Sequence, residues 1–243
     1  MEKGQIIIAD DPDDLALRAA QMFTASARHC ILDKGGFTVV LSGGSTPRPI
    51  HRLLSKEPFV SQMPWDMTHM FWVDERCVPY DHPYSNFGAA RKDLIDRVNV
   101  PKFHVHPMPT DILPQMGAIR YQEELTGFFK LKRGGIPRFD LIILGIGDDG
   151  HTASLFPGKH MTTENDRLVM SVRGGNPDVD RITLTLSVIN NAGEVMFIAS
   201  GRRKADIVRL VLQDTQRTLP AQKVCPVNGS LTWLVDREAA SLF

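Results

Sequence analysis

Phe37-Thr38-Val39-Val40-Leu41-Ser42-Gly43-Gly44-Ser45-Thr46-Pro47 reads as a strand, a glycine-rich turn and the start of a helix. The run Phe37–Leu41 is apolar on both faces, as a parallel strand covered from both sides requires. Pro47 suits the first turn of a helix, where the missing N–H costs nothing. Upstream, Gln5–Ala9 is another short apolar strand. Pro12 and Asp13 then open a helix whose Leu15, Ala19, Met22, Phe23, Ala27 and Ile31 recur at helical spacing until Gly35-Gly36 stops it. Downstream, strands are expected at 70–73, 103–106, 141–145, 182–186, 195–199 and 231–235, with helices at 85–98, 115–132 and 203–212. Strands alternating with helices predict an α/β fold with helices on both faces of the sheet, and with no composition shift to mark a boundary the chain reads as a single domain over 1–243. In such sheets ligands sit beyond the carboxyl ends of the strands, so the chemistry is sought after Leu41, Val73 and Leu144.

Composition removes several classes of function. The 243 residues carry 28 basic and 28 acidic side chains, so no global field recruits nucleic acid or an anionic membrane surface. With 42% hydrophobic and 23% charged residues the chain is neither disordered nor low in complexity. No apolar run is long enough to span a membrane, and the start lacks a secretory core. Cys30, Cys77 and Cys225 are widely spaced and form no C-x-x-C pair, which argues against a disulfide framework or a thiolate zinc site and for a reducing cytoplasm. A monomer or a weak homo-oligomer is expected.

Three loops carry candidate chemistry. In Ser42–Thr46 the glycines allow close backbone approach, while free N–H groups, hydroxyls and the helix dipole favour a phosphate; a tight turn with a Ser/Thr cap is the plain alternative. Asp74-Glu75-Arg76 offers a guanidinium for bidentate phosphate contact and two carboxylates for sugar hydroxyls, against the plain reading of a solvated salt-bridge patch. Ser85 and Asn86 open a helix, as site residues or as caps. Gly145, Gly147 and Gly150 satisfy G-x-G-x-x-G literally. Asp148 and Asp149 would then sit where a pyrophosphate must go, and Pro157-Gly158 interrupts the helix that should follow, so the dinucleotide reading fails. A P-loop fails too, because His151 replaces its lysine. What remains is an imidazole two residues after a carboxylate, the arrangement of a general base whose tautomer Asp149 or a neighbour fixes, against the plain reading of a structural histidine. No G-x-S-x-G elbow supplies a serine nucleophile. Arg202-Arg203-Lys204 places cations against the dipole at a helix start, which suggests an anion there with Lys204 as a contact, and Arg181 is a weaker cationic candidate; solvated surface charges are the plain alternative for both. His104 and His106, with Asp111, imitate a metal site, but no other ligand has zinc-like spacing, so no metal is expected there.

In this order, the motifs at 41–47, 73–76, 85–88, 139–158, 181–192 and 201–204 resemble the 6-phosphogluconolactonase family, within the wider group that includes glucosamine-6-phosphate deaminase. The similarity spans nearly the whole chain. It implies a deaminase-like, single three-layer α/β/α domain with a mainly parallel Rossmann-like sheet, no metal or organic cofactor, and a phosphosugar lactone as small-molecule substrate, hydrolysed by activated water. Taken with the residue chemistry, the substrate is expected to meet Ser42, Gly43, Gly44, Ser45, Thr46, Asp74, Glu75, Arg76, Asn86, Arg181 and Lys204, with His151 and Asp149 as the catalytic pair. Backbone N–H groups near Gly147–Gly150 are the expected oxyanion donors. The deaminase-like pattern has an acidic residue five positions after this histidine, where this chain has Phe156. A phosphosugar deaminase or isomerase and a non-catalytic sugar-phosphate sensor are the alternatives. The stretch 172–180 departs from the lactonase pattern, with Arg173-Gly174-Gly175-Asn176 where a lysine- and proline-rich stretch is usual.

Overall fold

A computed structural model describes residues 4–158, 167–214, 216 and 218–243. The chain runs β1 (Gln5–Ala9), α1 (Pro12–Lys34), β2 (Phe37–Leu41), α2 (Pro47–Leu54), α3 (Phe59–Gln62), β3 (Thr68–Trp72), β4 (Asp74–Arg76), α4 (Asn86–Asp93), β5 (Val105–His106) and α5 (Pro114–Phe128). It continues through β6 (Leu141–Leu144), β7 (Val169–Gly174), β8 (Val179–Leu184), α6 (Leu186–Ile189), β9 (Glu194–Ala199), α7 (Ala205–Gln213) and β10 (Ser230–Asp236). Local chemistry sets these boundaries. Asp11 accepts from the N–H groups of Asp13 and Asp14 to cap α1, Pro12 occupies its first turn, and Lys34 lies in its last turn, where the dipole favours a cation. Leu15, Ala19, Phe23 and Ala27 then bury one face of the helix.

Seven strands form one sheet in the order β1-β10-β9-β6-β2-β3-β5, every neighbouring pair parallel. All four residues of β6 and most of β2 and β9 are buried, so these central strands are covered on both faces by the flanking helices. From β2 the chain steps outward to β3 and β5, then returns across β2 to β6, β9 and β10. The order therefore reverses between β2 and β6, and a crevice opens between the loops that leave them.

A second sheet was not anticipated. β4, β8 and β7 form a three-stranded antiparallel sheet. The stretch 74–76, expected as a loop beyond a strand end, is thus a strand, and 182–186 belongs to this small sheet rather than the parallel one. Pairing Asp74–Arg76 with 181–183 satisfies backbone groups that a loop would leave to water. The atypical 172–180 stretch is the β7–β8 hairpin. Ile182 and Leu184 are fully buried, and one apolar cluster runs through both sheets. Elsewhere only boundaries shift. The helix expected at 85–98 is α4 followed by a 3₁₀ turn at Ile95–Arg97, the helix at 115–132 ends at Phe128, and the first half of the 103–106 strand belongs to the 3₁₀ turn Lys102–His104.

Candidate active site

A cleft of about 240 Å³ opens at the point where the strand order reverses. Of the residues expected in the site, Ser42, Gly43, Gly44, Ser45, Thr46, Asp74, Arg76, Asn86, His151, Arg181 and Lys204 line it. They come from the ends of β2, β6 and β9, from the small sheet and, for Asn86, from the start of α4, so both sheets build its walls.

The glycine-rich loop after β2 does more than turn the chain. Thr46 makes no side-chain hydrogen bond to the start of α2, so its hydroxyl is not spent as a cap. The Ser42 hydroxyl is buried without a protein partner, a costly state unless a ligand supplies one. Gly43 is required by its neighbour, because a Cβ there would collide with the Asn86 side-chain oxygen.

His151 follows β6. Asp149 Oδ1 accepts from both the backbone N–H of His151 (3.1 Å) and its Nδ1 (2.5 Å). A carboxylate only accepts, so Nδ1 carries the proton and Nε2 keeps its lone pair for chemistry. Burial pushes the Asp149 carboxyl up, but the hydrogen bonds and charge of His151 hold it below its ordinary value. A Cβ on Gly147 would strike the imidazole, so only glycine lets the ring lie there. Ala153 adopts φ +52, a left-handed conformation that costs a β-carbon residue about 1–3 kcal/mol and marks this loop as shaped for a task. The turn engages two of the four N–H groups expected as oxyanion donors over 147–150. The N–H of Gly147 donates to the His151 carbonyl and that of Gly150 to the Gly147 carbonyl, so both are already spent in the turn.

On the small-sheet side, alternation along β4 decides the roles. Asp74 and Arg76 face the cleft. Glu75, expected to bind sugar hydroxyls, points the other way: it is 0% exposed and accepts from the N–H groups of Arg76, Asn86 and Phe87 and from the Ser85 hydroxyl. It fastens the start of α4 rather than touching the cleft. Burial raises its pKa, partly offset by those hydrogen bonds. Ser85 is the α4 cap, accepting from the N–H of Gly88 at 2.9 Å. Arg76 donates through one terminal nitrogen to Asn86 Oδ1 (2.9 Å) and the Tyr84 carbonyl (2.8 Å), while its buried Nε has no protein partner. Arg181, 3% exposed, sits opposite Arg76 in the β4–β8 register, with one nitrogen 3.8 Å from Asp74. Burial lowers its pKa, and Asp74 opposes that effect.

Lys204, beyond β9, donates to the Ile146 carbonyl (2.8 Å) and to Asp148 Oδ1 (2.6 Å). The anion implied by the Arg202–Lys204 cluster is thus in part a side chain of the protein. Its hydrogen bond to Lys204 leads the effects that lower the Asp148 pKa. The suspected metal ligands meet instead as stacked rings: His106 bonds His69 (3.0 Å) and Glu124 (2.6 Å), and His104 lies against His69. Among the described residues no group of three or more His, Cys, Asp or Glu is placed to hold a metal ion.

A family model described as glucosamine-6-phosphate isomerases/6-phosphogluconolactonase matches residues 10–233. The chain belongs to this family. A 6-phosphogluconolactonase of Synechocystis is 38% identical over 239 residues, covering 97% of this chain and 96% of that protein. The crystal structure of 6-phosphogluconolactonase from Thermotoga maritima superposes with a TM-score of 0.83 at 31% identity, over 96% and 99% of the two chains. The Trypanosoma brucei 6-phosphogluconolactonase gives 0.87 at 28% identity, over 98% of each. A monomeric glucosamine-6-phosphate deaminase, 19% identical with a TM-score of 0.82, shares the fold. In this chain Phe156 is buried with its ring 4.9 Å from that of His151.

Proposed function

We propose that this chain is a hydrolase of carbohydrate metabolism that converts 6-phospho-D-glucono-1,5-lactone and water to 6-phosphogluconate, the second step of the oxidative pentose phosphate sequence. The observation that carries this reading is the pair His151–Asp149, a base with its orienting acid, beside an apolar Phe156 rather than a second carboxylate. Ring opening and proton transfer between sugar carbons need another proton carrier; water attack on a lactone needs one base. The proteins named 6-phosphogluconolactonase that cover almost the whole chain support it.

The substrate phosphate, nearly dianionic at neutral pH, is held by the Ser42–Thr46 loop together with Arg76, Arg181 and Lys204. Each charge-assisted hydrogen bond contributes roughly 1.5–3 kcal/mol, so two or three fix the register. His151 Nε2 takes a proton from water as its oxygen bonds to C1, and the lactone carbonyl becomes an oxyanion. When the adduct collapses, the C1 bond to the ring oxygen breaks and His151 returns the proton to that oxygen. Asp149 keeps the ring in the correct tautomer and stabilises the transient imidazolium. Cys30, Cys77 and Cys225 form no disulfide among the described residues, which suits a reducing compartment that we infer to be the cytoplasm.

The test generates the lactone in place from glucose 6-phosphate and follows its decay with the purified protein, with His151→Asn and without protein. The wild type is expected to accelerate decay, and His151→Asn to lose on the order of 10²–10⁴ in kcat while KM stays nearly unchanged. Equal decay in all three overturns the lactonase reading. Tight binding of 6-phosphogluconate without turnover would then point to a sensor, and ammonia release from glucosamine 6-phosphate to a deaminase.

A further inference from the structure

Ser154 does not line the cleft, yet it connects the two sides of it. The residue is 1% exposed, three positions after His151, and its hydroxyl donates to Asp74 Oδ2 at 2.5 Å. Its backbone N–H donates to the Thr183 hydroxyl of β8 at 3.2 Å. The other Asp74 oxygen accepts from Asn86 Nδ2 at 3.1 Å, and the same nitrogen donates to the Asp74 carbonyl at 2.9 Å. With its nitrogen so occupied, the Asn86 amide can turn only its oxygen outward, and that oxygen accepts from Arg76 at 2.9 Å. A continuous chain of hydrogen bonds, Ser154–Asp74–Asn86–Arg76, therefore runs from the loop of the base to the guanidinium on β4. It passes through three separate elements.

We propose that Ser154 is a positioning residue for substrate binding, which ties the His151 loop to Arg76 so that base and anion anchor keep a fixed separation. The donor type matters. A carboxylate can only accept, and Arg181, 3.8 Å from the same Asp74 oxygen, is the nearest competitor for it. While the serine hydroxyl satisfies Asp74 Oδ2, Arg181 is not drawn into a close ion pair and its charge remains directed to the cleft. Without that hydroxyl, Asp74 turns toward Arg181, its hold on the Asn86 amide loosens, and Arg76 loses its orientation. A deletion at Ser154 thus reaches the substrate through Arg76, although the two side chains do not touch.

This inference rests on the lactonase reading of the cleft, and a double-mutant cycle tests it. Wild type, Ser154→Ala, Arg76→Ala and the double variant are compared for KM, kcat, thermal midpoint and calorimetric affinity for 6-phosphogluconate. Ser154→Ala is expected to raise KM about tenfold, the scale of one hydrogen bond to a charged group, and to leave kcat within about threefold. In the Arg76→Ala background the same change is expected to add less than about twofold, because residues acting through one network are not additive. Ser154→Cys, which keeps the volume with a weaker donor, is expected to fall between serine and alanine and serves if the alanine variant does not fold. An equal penalty in both backgrounds, an unchanged KM, or a fall in kcat at constant KM overturns the proposal. If the wild type fails to hydrolyse the lactone, the functional reading falls, and the affinity cycle still decides the role of Ser154.

Discussion

Lys204 and Arg76 approach the cleft from opposite sides of the crevice, each held by acceptors of the protein: Ile146 and Asp148 for the lysine, Tyr84 and Asn86 for the arginine. Neither touches His151 in the described contacts, so truncating either removes binding rather than proton transfer. Lys204→Ala and Arg76→Ala are each expected to raise KM by about 10–100-fold, the loss of one charge-assisted hydrogen bond, with kcat little changed in steady-state assays. A collapse of kcat in Arg76→Ala would place that guanidinium on the reacting carbonyl instead. At this scale much was legible in the sequence. Ser42–Thr46, His151 and Lys204 stand in short motifs whose residue types declare their chemistry. Glu75 was misread because 74–76 was taken as a loop; once it is a strand, alternation sends Glu75 inward between its neighbours. Asp148 and Ser154 were missed for another reason. Their partners Lys204 and Asp74 lie 56 and 80 positions away, and no local pattern announces a contact of that span.

Histidines dominate two elements at some distance from the cleft, and they set the acid tolerance of the fold. On α2, His51 is buried with neither ring nitrogen paired, and burial pushes its pKa down to about 4 against the opposing pull of Asp93. Beside β3 and β5, burial and then the neighbouring His104 and His106 lower His69 to about 4, while Glu124 faces His106 and Asp66 favours protonation of His104. In the unfolded chain these imidazoles titrate near 6.5. Between about pH 4 and 6.5 the unfolded state therefore binds more protons, so stability is complete above 6.5 and is lost as pH falls toward 4. For His51 alone this amounts to about 2 kcal/mol between pH 7 and 5, at ~1.4 kcal/mol per unit below the unfolded pKa. Urea unfolding at the two pH values is expected to show a smaller loss in His51→Leu than in wild type; parallel losses would mean that the imidazole is charged in the fold. The elements themselves were unequally legible. β2, β6 and β9 are continuous apolar runs because both faces are covered, and they stand within about a residue of their expected ends. β4 carries Asp74 and Arg76 to the cleft, so polar side chains of the site hide that strand, and β8 shows in the sequence only from Ile182 onward, beyond Arg181.

Because the cleft is walled by the parallel sheet on one side and the antiparallel sheet on the other, its ligand adds a bridge between two sheets already joined by the apolar cluster and by hydrogen bonds such as Ser154–Asp74 and Leu184–Val73. A ligand that binds only the assembled walls stabilises the whole chain by mass action, about 2.7 kcal/mol at one hundred times its Kd. For a chain of this size the thermal midpoint is then expected to rise by roughly 5–10 °C with saturating 6-phosphogluconate. A midpoint shift alone does not say where the ligand sits, so hydrogen exchange supplies the location. Slowed exchange is expected both in the loop after β2 and in β8, whose Arg181 is nearly enclosed and whose strand is held to β4 and β7 by pairing rather than by a covering helix on every side. In Arg181→Leu the protection of β8 is expected to vanish, while that of the β2 loop persists. Protection confined to the β2 loop in the wild type would mean that the ligand binds one wall only and that the antiparallel sheet is no part of the site.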